Sequence, residues 1–372
     1  MTIKPYKIIY FSMGYSPHDH RFLSALAQTE HKIYFVQLEK ADNSNIPAEI
    51  ELADWAGEHA SIRFGTRDFR WRDVPSYVSS LQHLIDKIQP DILHAGPIQT
   101  IGLIAVLTEF KPLLMMSWGF DLMEDVHRNL WWKRITYFVL RRSTFFISDA
   151  RVTRNNAVKY GMNPQNTIVF PWGVDLEHFS PTAEYRIPNT EFTLFCNRSW
   201  EPRYGVDVLA ESFVQVLKTK PKTRLNLLGG GSQGDVICKI LDEGGAIDRV
   251  QFPGYIPQKD LPRYYNEADI YISPSHVDGS SVSLMEAMGC GLPCLVSDIP
   301  ANKEWVREGE NGWLFADGDT NALAEKILHA IENRDTLGEI SANSRRVAEK
   351  RANWQKNFKK LLTAYERTIE LY

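Results

Sequence analysis

Short β-rich runs alternate with helical stretches along the chain, and that grammar admits parallel sheets covered by crossover helices. The first series reads KIIYFSM (7 to 13), HKIYFVQL (31 to 38), DILHAG (91 to 96), LLMMSW (113 to 118) and TFFISDA (144 to 150). A stretch dense in Pro, Asn and Thr follows, TIVFPWGVDLEHFSPTAEYRIPNTE (167 to 191), and the pattern restarts with FTLFCNR (192 to 198). It continues through RLNLLGG (224 to 230), VQFPG (250 to 254), IYISPS (270 to 275) and PCLVSD (293 to 298). A domain boundary near residues 175 to 190 and two Rossmann-like α/β domains are therefore expected. Beyond residue 318 apolar positions recur at helical spacing, so the chain is expected to end in helices.

With 372 residues, 44% hydrophobic and 24% charged, the chain can support two cores and has a globular balance. No apolar run approaches the roughly 20 residues of a membrane span. The N-terminal MTIKPYKIIYFSMGYSP alternates like a strand and lacks a small-residue cleavage site, so a cytoplasmic location is expected. Cys196, Cys238, Cys290 and Cys294 form no CxxC pair and read as reduced core thiols. A net charge of −4 argues against general nucleic-acid binding, which leaves small molecules as the expected partners. Residues 41 to 60, ADNSNIPAEIELADWAGEHA, read as a polar, acidic excursion near the second strand.

YISPSHVDGSSVSLMEAMGCGLPCLVSD (271 to 298) reads as a buried strand, a small polar loop, a helix and another strand. In open α/β sheets, ligands settle at the carboxyl ends of strands, where helix N-termini present free N–H groups to anions. Gly279, Ser280 and Ser281 admit a ligand close to the backbone, and Glu286, placed in the first helical turn, suits acceptance from vicinal hydroxyls. Asp278 can do likewise from the loop. A purely structural account stands beside this one: Ser283-x-x-Glu286 fits a capping box, and Asp278-Gly279 is an ordinary turn dipeptide.

SPSHVDGSSVSLMEAMGCGLPCLVSD followed by NGWLFADGD resembles the signature of retaining nucleotide-sugar glycosyltransferases with the GT-B fold, glycosyltransferase family 4. Further stretches similar to that family occur in its usual order: PDILHAGPIQTIGLIAV, SWGFDLM, VFPWGVDLEHFSP, NRSWEPRYGVDVLAESF, LLGGG and GYIPQKDLPRYYNEADIYISPS. The resemblance implies two Rossmann-like domains facing each other across a cleft, with the C-terminal helices packing back towards the N-terminal domain. It implies an acceptor domain over 1–178, a nucleotide-sugar donor domain over 179–350, and a crossing helix over 351–372. By the same token Arg198 faces the donor diphosphate, Glu286 the ribose, Asp278 the transferred sugar, and the backbone of Ser280, Ser281 and Val282 the sugar or phosphate. Tyr255 sits where the family holds the nucleobase through the main chain, and Gly14 suits the loop that meets donor phosphates. Tyr15, His18, Asp19 and Trp118 fall on the acceptor side.

The chain departs from the family in instructive places. Tyr204 in EPRYG occupies a lysine position, so Arg203 is the remaining nearby cation. Trp118 in SWGFD stands where the family commonly has His, which makes Asp121 the polar group of interest on that strand end. His94 reads as a buried strand-end histidine, and the DGD at Asp317 to Asp319 as a turn before a capped helix. HRNLWWKRITYFVLRRSTFF (127 to 146) combines bases with aromatics. It reads as a crossover helix with Leu130, Ile135, Phe138 and Val139 on the sheet, an anionic membrane surface being the alternative partner.

The expected activity is thus transfer of a sugar from a nucleotide diphosphate donor, UDP favoured, to a hydroxyl of a glycan or lipid-linked acceptor. No cofactor or metal is required, because Arg198 and helix-end N–H groups can neutralise the leaving diphosphate. A non-catalytic nucleotide-sugar-binding subunit of the same fold remains open as the alternative, with an epimerase behind it.

Overall fold

The computed structural model describes residues 5–38, 46–53, 70–182 and 191–372. Most of the acidic excursion and the end of the Pro-rich stretch lie outside the described residues. The chain divides into two compact units, Met1–Phe170 with Phe358–Tyr372, and Pro171–Asn357. The sequence reading places these crossings after residues 178 and 350.

In the first unit, β1 (Lys7–Ser12), β2 (Lys32–Gln37), β3 (Glu51–Leu52), β4 (Ile92–Ala95), β5 (Leu113–Met116), β6 (Phe145–Ser148) and β7 (Thr167–Val169) form one sheet. Its order is β3-β2-β1-β4-β5-β6-β7 and every pairing is parallel. Strands β4, β5 and β6 are buried at every position, as expected of strands covered on both faces by crossover helices. The last helix, Trp354–Glu370, returns its later turns to this unit: Tyr365 meets His94 and Arg367 lies over the Phe145 ring at 5.2 Å. His94 is buried as expected, its Nδ1 2.9 Å from the Tyr365 hydroxyl, and burial pushes its pKa down to about 3.

The helix Leu130–Arg142 is capped by the Asn129 side chain and buries Ile135, Thr136, Val139 and Leu140. Leu130, expected on the sheet face, is instead 73% exposed. It lies five positions before Ile135, about 140° round the helix from the buried stripe. Phe138 is half-buried and Trp131 is 58% exposed.

The second unit holds β8 (Phe192–Cys196), β9 (Thr223–Leu228), β10 (Val250–Gly254), β11 (Ile270–Ser273), β12 (Cys294–Ser297) and β13 (Gly312–Phe315). The order is β10-β9-β8-β11-β12-β13, again all parallel. Strand order therefore reverses between β1 and β4 in one sheet and between β8 and β11 in the other. At such a reversal the crossover helices leave on opposite faces and a crevice opens at the carboxyl ends.

Candidate active site

The reversal in the second sheet gathers the loop after β8, with Asn197 and Arg198, and the loop after β11, Pro274 to Ser281. That second loop leads into the helix Val282–Gly289, whose N-cap is Ser281, the hydroxyl accepting from the Leu284 N–H at 3.4 Å. This corrects two expectations. Glu286 lies in the second turn rather than the first, and Ser283 does not cap, so the helix start does not require the carboxylate.

Arg198 is the centre of the cluster. One terminal nitrogen donates to the hydroxyls of Ser281 and Ser283 at 2.8 and 3.0 Å, and the other lies 2.8 Å from Asp278 Oδ2. The Asp278 contact is an ion pair by distance, without good hydrogen-bond direction, and Arg198 Nε is buried with no partner. Burial works against the guanidinium charge and the neighbouring Asp278 carboxylate works for it, and the Arg198 pKa is raised. Burial raises the Asp278 pKa, while Arg198 and the Gly279 N–H pull it down. A second layer fixes this geometry: the Tyr271 hydroxyl donates to Ser283 Oγ at 2.9 Å.

Glu286 is 5% exposed and its Oε2 lies 2.9 Å from the Tyr265 hydroxyl. That hydroxyl also lies 3.1 Å from the Ser283 carbonyl and accepts from Asn197 at 2.8 Å. Its single proton can serve one acceptor at a time, so a ligand hydroxyl arriving at Glu286 can be accommodated by redirecting Tyr265.

Tyr204 does not merely leave a lysine out. Its ring lies under the Arg198 guanidinium, 4.3 Å from the centroid. The loop that carries it is pinned by Gly205, at φ +59, where a Cβ would stand 2.3 Å from the Pro274 carbonyl oxygen. Arg203, half-buried, uses its carbonyl to accept from the His276 N–H at 2.9 Å. Both contacts tie the β8 side of the crevice to the β11 loop. A guanidinium over a phenol ring is worth about 0.5 to 2 kcal/mol. Tyr204→Phe should therefore keep turnover within about twofold, whereas Tyr204→Ala should lower kcat/KM about fivefold. Equal losses in the two variants, measured by steady-state kinetics, would assign the effect to the hydroxyl instead of the ring.

The remaining sequence candidates fall as follows. Gly279 and Ser280 are buried and Val282 half-buried in the same loop and helix start. Tyr255 is 86% exposed on the loop after the edge strand β10. In the first unit, Gly14 follows β1, and Tyr15 meets His20 Nδ1 through its hydroxyl at 2.5 Å. Asp19 makes a capping box with Ser16 at the start of the helix Pro17–Leu26, and burial pushes its pKa up to about 6 against those hydrogen bonds. His18 stands edge-on to Trp118 at 5.8 Å, and burial, with Arg21, pushes its pKa down to about 4. Trp118 Nε1 is buried without a partner. Asp121 is fully buried and spends both oxygens internally. Ser117 Oγ and the Leu122 N–H donate to Oδ1, and the Ile98 and Trp118 N–H groups to Oδ2. It thus positions the Trp118 loop, and burial raises its pKa to about 6. Of the DGD, Asp317 pairs with His276 Nδ1 at 2.7 Å and Asp319 caps the helix Thr320–Glu332. Among the described residues no group of three or more His, Cys, Asp or Glu side chains is arranged to hold a metal ion.

Sequence reasoning passed over Tyr265 and Tyr271, because tyrosines in strand and helix runs read as core. It used Ser283 only as a cap. The available signal is positional: Tyr271 lies in β11, the strand that feeds the loop, and Tyr265 just before it.

The family described as glycosyl transferases group 1 matches residues 182–347, and that described as glycosyl transferase 4-like matches residues 7–150. A phosphatidyl-myo-inositol mannosyltransferase of Mycobacterium leprae is 28% identical over 207 residues, 54% of this chain and 54% of that protein. Spore coat protein SA of Bacillus subtilis is 28% identical over 52% of this chain and 57% of its own length. The chain spans about half the length of the curated relatives it matches. Sucrose-phosphate synthase from Thermosynechococcus elongatus superposes with a TM-score of 0.85 at 18% identity, covering 98% of this chain and 100% of that one. Anabaena HepE, solved with UDP-glucose, gives 0.78 at 17% identity over 97% and 99%. Two parallel-sheet Rossmann-like units with these structural neighbours define the GT-B fold. The two family matches, one in each half of the chain, are both to glycosyl transferases.

Proposed function

We propose that this protein is a retaining transferase that takes a sugar from a nucleotide diphosphate donor, UDP favoured, and passes it to a hydroxyl of a glycan or lipid-linked acceptor in cell-surface polysaccharide or glycoconjugate synthesis. The observation that carries this reading is Arg198, held by Ser281, Ser283, Asp278 and Tyr204 at the N-terminus of the helix Val282–Gly289. A cation fixed beside free helix N–H groups suits a diphosphate, whose charge grows as the bond to the sugar breaks. The anomeric C–O bond breaks with its electron pair going to the diphosphate. The acceptor oxygen attacks from the same face, and its proton passes to the departing phosphate oxygen. Asp278 and Glu286 hold sugar and ribose hydroxyls. UDP is supported by HepE, solved with UDP-glucose, whereas a relative in Mycolicibacterium smegmatis is described as GDP-mannose-dependent. A panel of UDP-glucose, UDP-galactose, UDP-N-acetylglucosamine and GDP-mannose tests the reading by thermal shift, turnover and product anomeric configuration. Retained configuration is expected; inversion overturns the mechanism, and donor binding without transfer or hydrolysis favours the non-catalytic subunit.

We also propose a cytoplasmic protein that rests on anionic lipid. Among the described residues no helix is long and apolar enough to cross a membrane. Leu130 and Trp131 are exposed at one helix start, Trp71 packs edge-on against Trp131 and Trp132, and Arg128, Lys133 and Arg134 flank them. Aromatics ringed by bases suit an interface with anionic headgroups. Flotation with phosphatidylglycerol vesicles should fall at least about tenfold in Leu130→Ala/Trp131→Ala. Equal flotation of the two proteins refutes the contact.

A further inference from the structure

The second unit carries a pocket of about 250 Å³ between the loop after the helix Pro300–Lys303 and the helix Leu337–Arg351. Four cations, Arg307, Arg346, Lys350 and Arg351, line it against two carboxylates, Glu304 and Glu310. Arg307 is partly answered by Glu310 at 3.4 Å. Arg346 and Lys350 are exposed, stand one turn apart on the same helix, and like charges at that spacing repel. The helix dipole favours bases in the last turn, which accounts for Lys350 and Arg351 but not for Arg307.

The floor of the pocket is Trp305, 2% exposed, with the Arg351 guanidinium 4.3 Å from its ring centroid. The indole N–H of Trp305 donates to Ser280 Oγ at 3.1 Å in a buried contact. Ser280 belongs to the loop that presents Asp278 to Arg198. One side chain thus touches both a basic pocket and the proposed donor loop.

We infer that this pocket binds a small phosphate-bearing anion and that its occupancy is felt at the donor loop through Trp305. A phosphate would relieve the repulsion among the cations and meet Arg side chains, whose planar fork matches phosphate oxygens. By meeting Arg351, whose guanidinium donates to the Glu304 carbonyl and lies over Trp305, it would hold the indole against Ser280, favouring the loop conformation that receives the donor. The coupling rests on the donor-loop reading above; the pocket itself does not.

The test uses the full chain at constant ionic strength. Inorganic phosphate titrated by calorimetry should show a site that Arg346→Ala/Lys350→Ala abolishes; identical titrations of the two proteins overturn the pocket. Saturating phosphate should tighten UDP about fivefold, near the low end of couplings between distinct sites. Trp305→Phe should bind phosphate but lose that tightening. Unchanged or weaker UDP binding in the wild-type chain, or undiminished tightening in Trp305→Phe, overturns the coupling. UDP that fails to bind at all sinks the donor reading, and the phosphate titration still decides the pocket. Vesicles containing phosphatidic acid separate the two sources of phosphate. Vesicle binding lost in the double variant, with no soluble phosphate bound, overturns the small-molecule ligand.

Discussion

Arg198→Ala is expected to lower turnover by about 10²- to 10³-fold, the loss typical of removing one preorganised transition-state charge, while donor affinity falls far less. The reason is differential: the diphosphate gains charge as the sugar leaves, so the guanidinium contributes most at the transition state. Arg198→Lys should recover part of the turnover, since it keeps the charge but loses the fork that reaches Ser281 and Ser283 together with Asp278. Arg198→Ala also strips Asp278 of its counter-ion, and breaking a buried pair this way costs about 3 to 5 kcal/mol. The pH dependence has a definite sign. Burial already raises the Asp278 pKa, and without Arg198 it rises further. A folded-state pKa raised above the unfolded value near 3.9 means stability is lost as pH rises, so the melting-temperature gap between Arg198→Ala and wild type should widen upwards from about pH 4. A constant gap, or equal losses in nucleotide affinity and turnover, would contradict the assigned role.

Glu286→Gln should weaken donor binding by about 1.5 to 3 kcal/mol, roughly 10- to 150-fold, because a neutral amide accepts less strongly from ribose hydroxyls than a carboxylate. The fold should survive. The helix is capped by Ser281, and the Tyr265 hydroxyl that meets Glu286 can donate to the amide oxygen as well. Calorimetry with the best nucleotide sugar from the panel measures the loss directly. Undiminished affinity in a folded variant would reduce Glu286 to the partner of Tyr265.

How much of this was legible in the sequence follows from what each element depends on. Runs such as LLMMSW and IYISPS are apolar almost throughout because both faces of their strands are covered, so they stand out without any partner. β3 has two residues, and β7 lies inside the Pro-rich stretch; both become strands through neighbours already in place, which a linear reading does not supply. In the site, Asp278 and Glu286 were visible as polar residues in an apolar context. Ser283 and Glu286 looked like a capping pair because the motif matches at the right spacing, yet the helix begins at a different serine. Tyr204 shows the other limit. Sequence registers it as an absent lysine, and only the fold of the Gly205 turn reveals that the ring supports the Arg198 guanidinium.

The two crossings of the chain order its synthesis. The sheet of the first unit, β1 to β7, is made before Phe170, but the turns that bring Tyr365 to His94 and Arg367 to Phe145 are made after Asn357. Between them lie the 187 residues of 171 to 357. At roughly 5 to 20 residues per second, the nascent first sheet waits roughly 10 to 40 s for its last helix. The second unit, being one uninterrupted segment, needs nothing that is made later. The unit that is begun first is therefore the one that depends on residues made after the whole of the other.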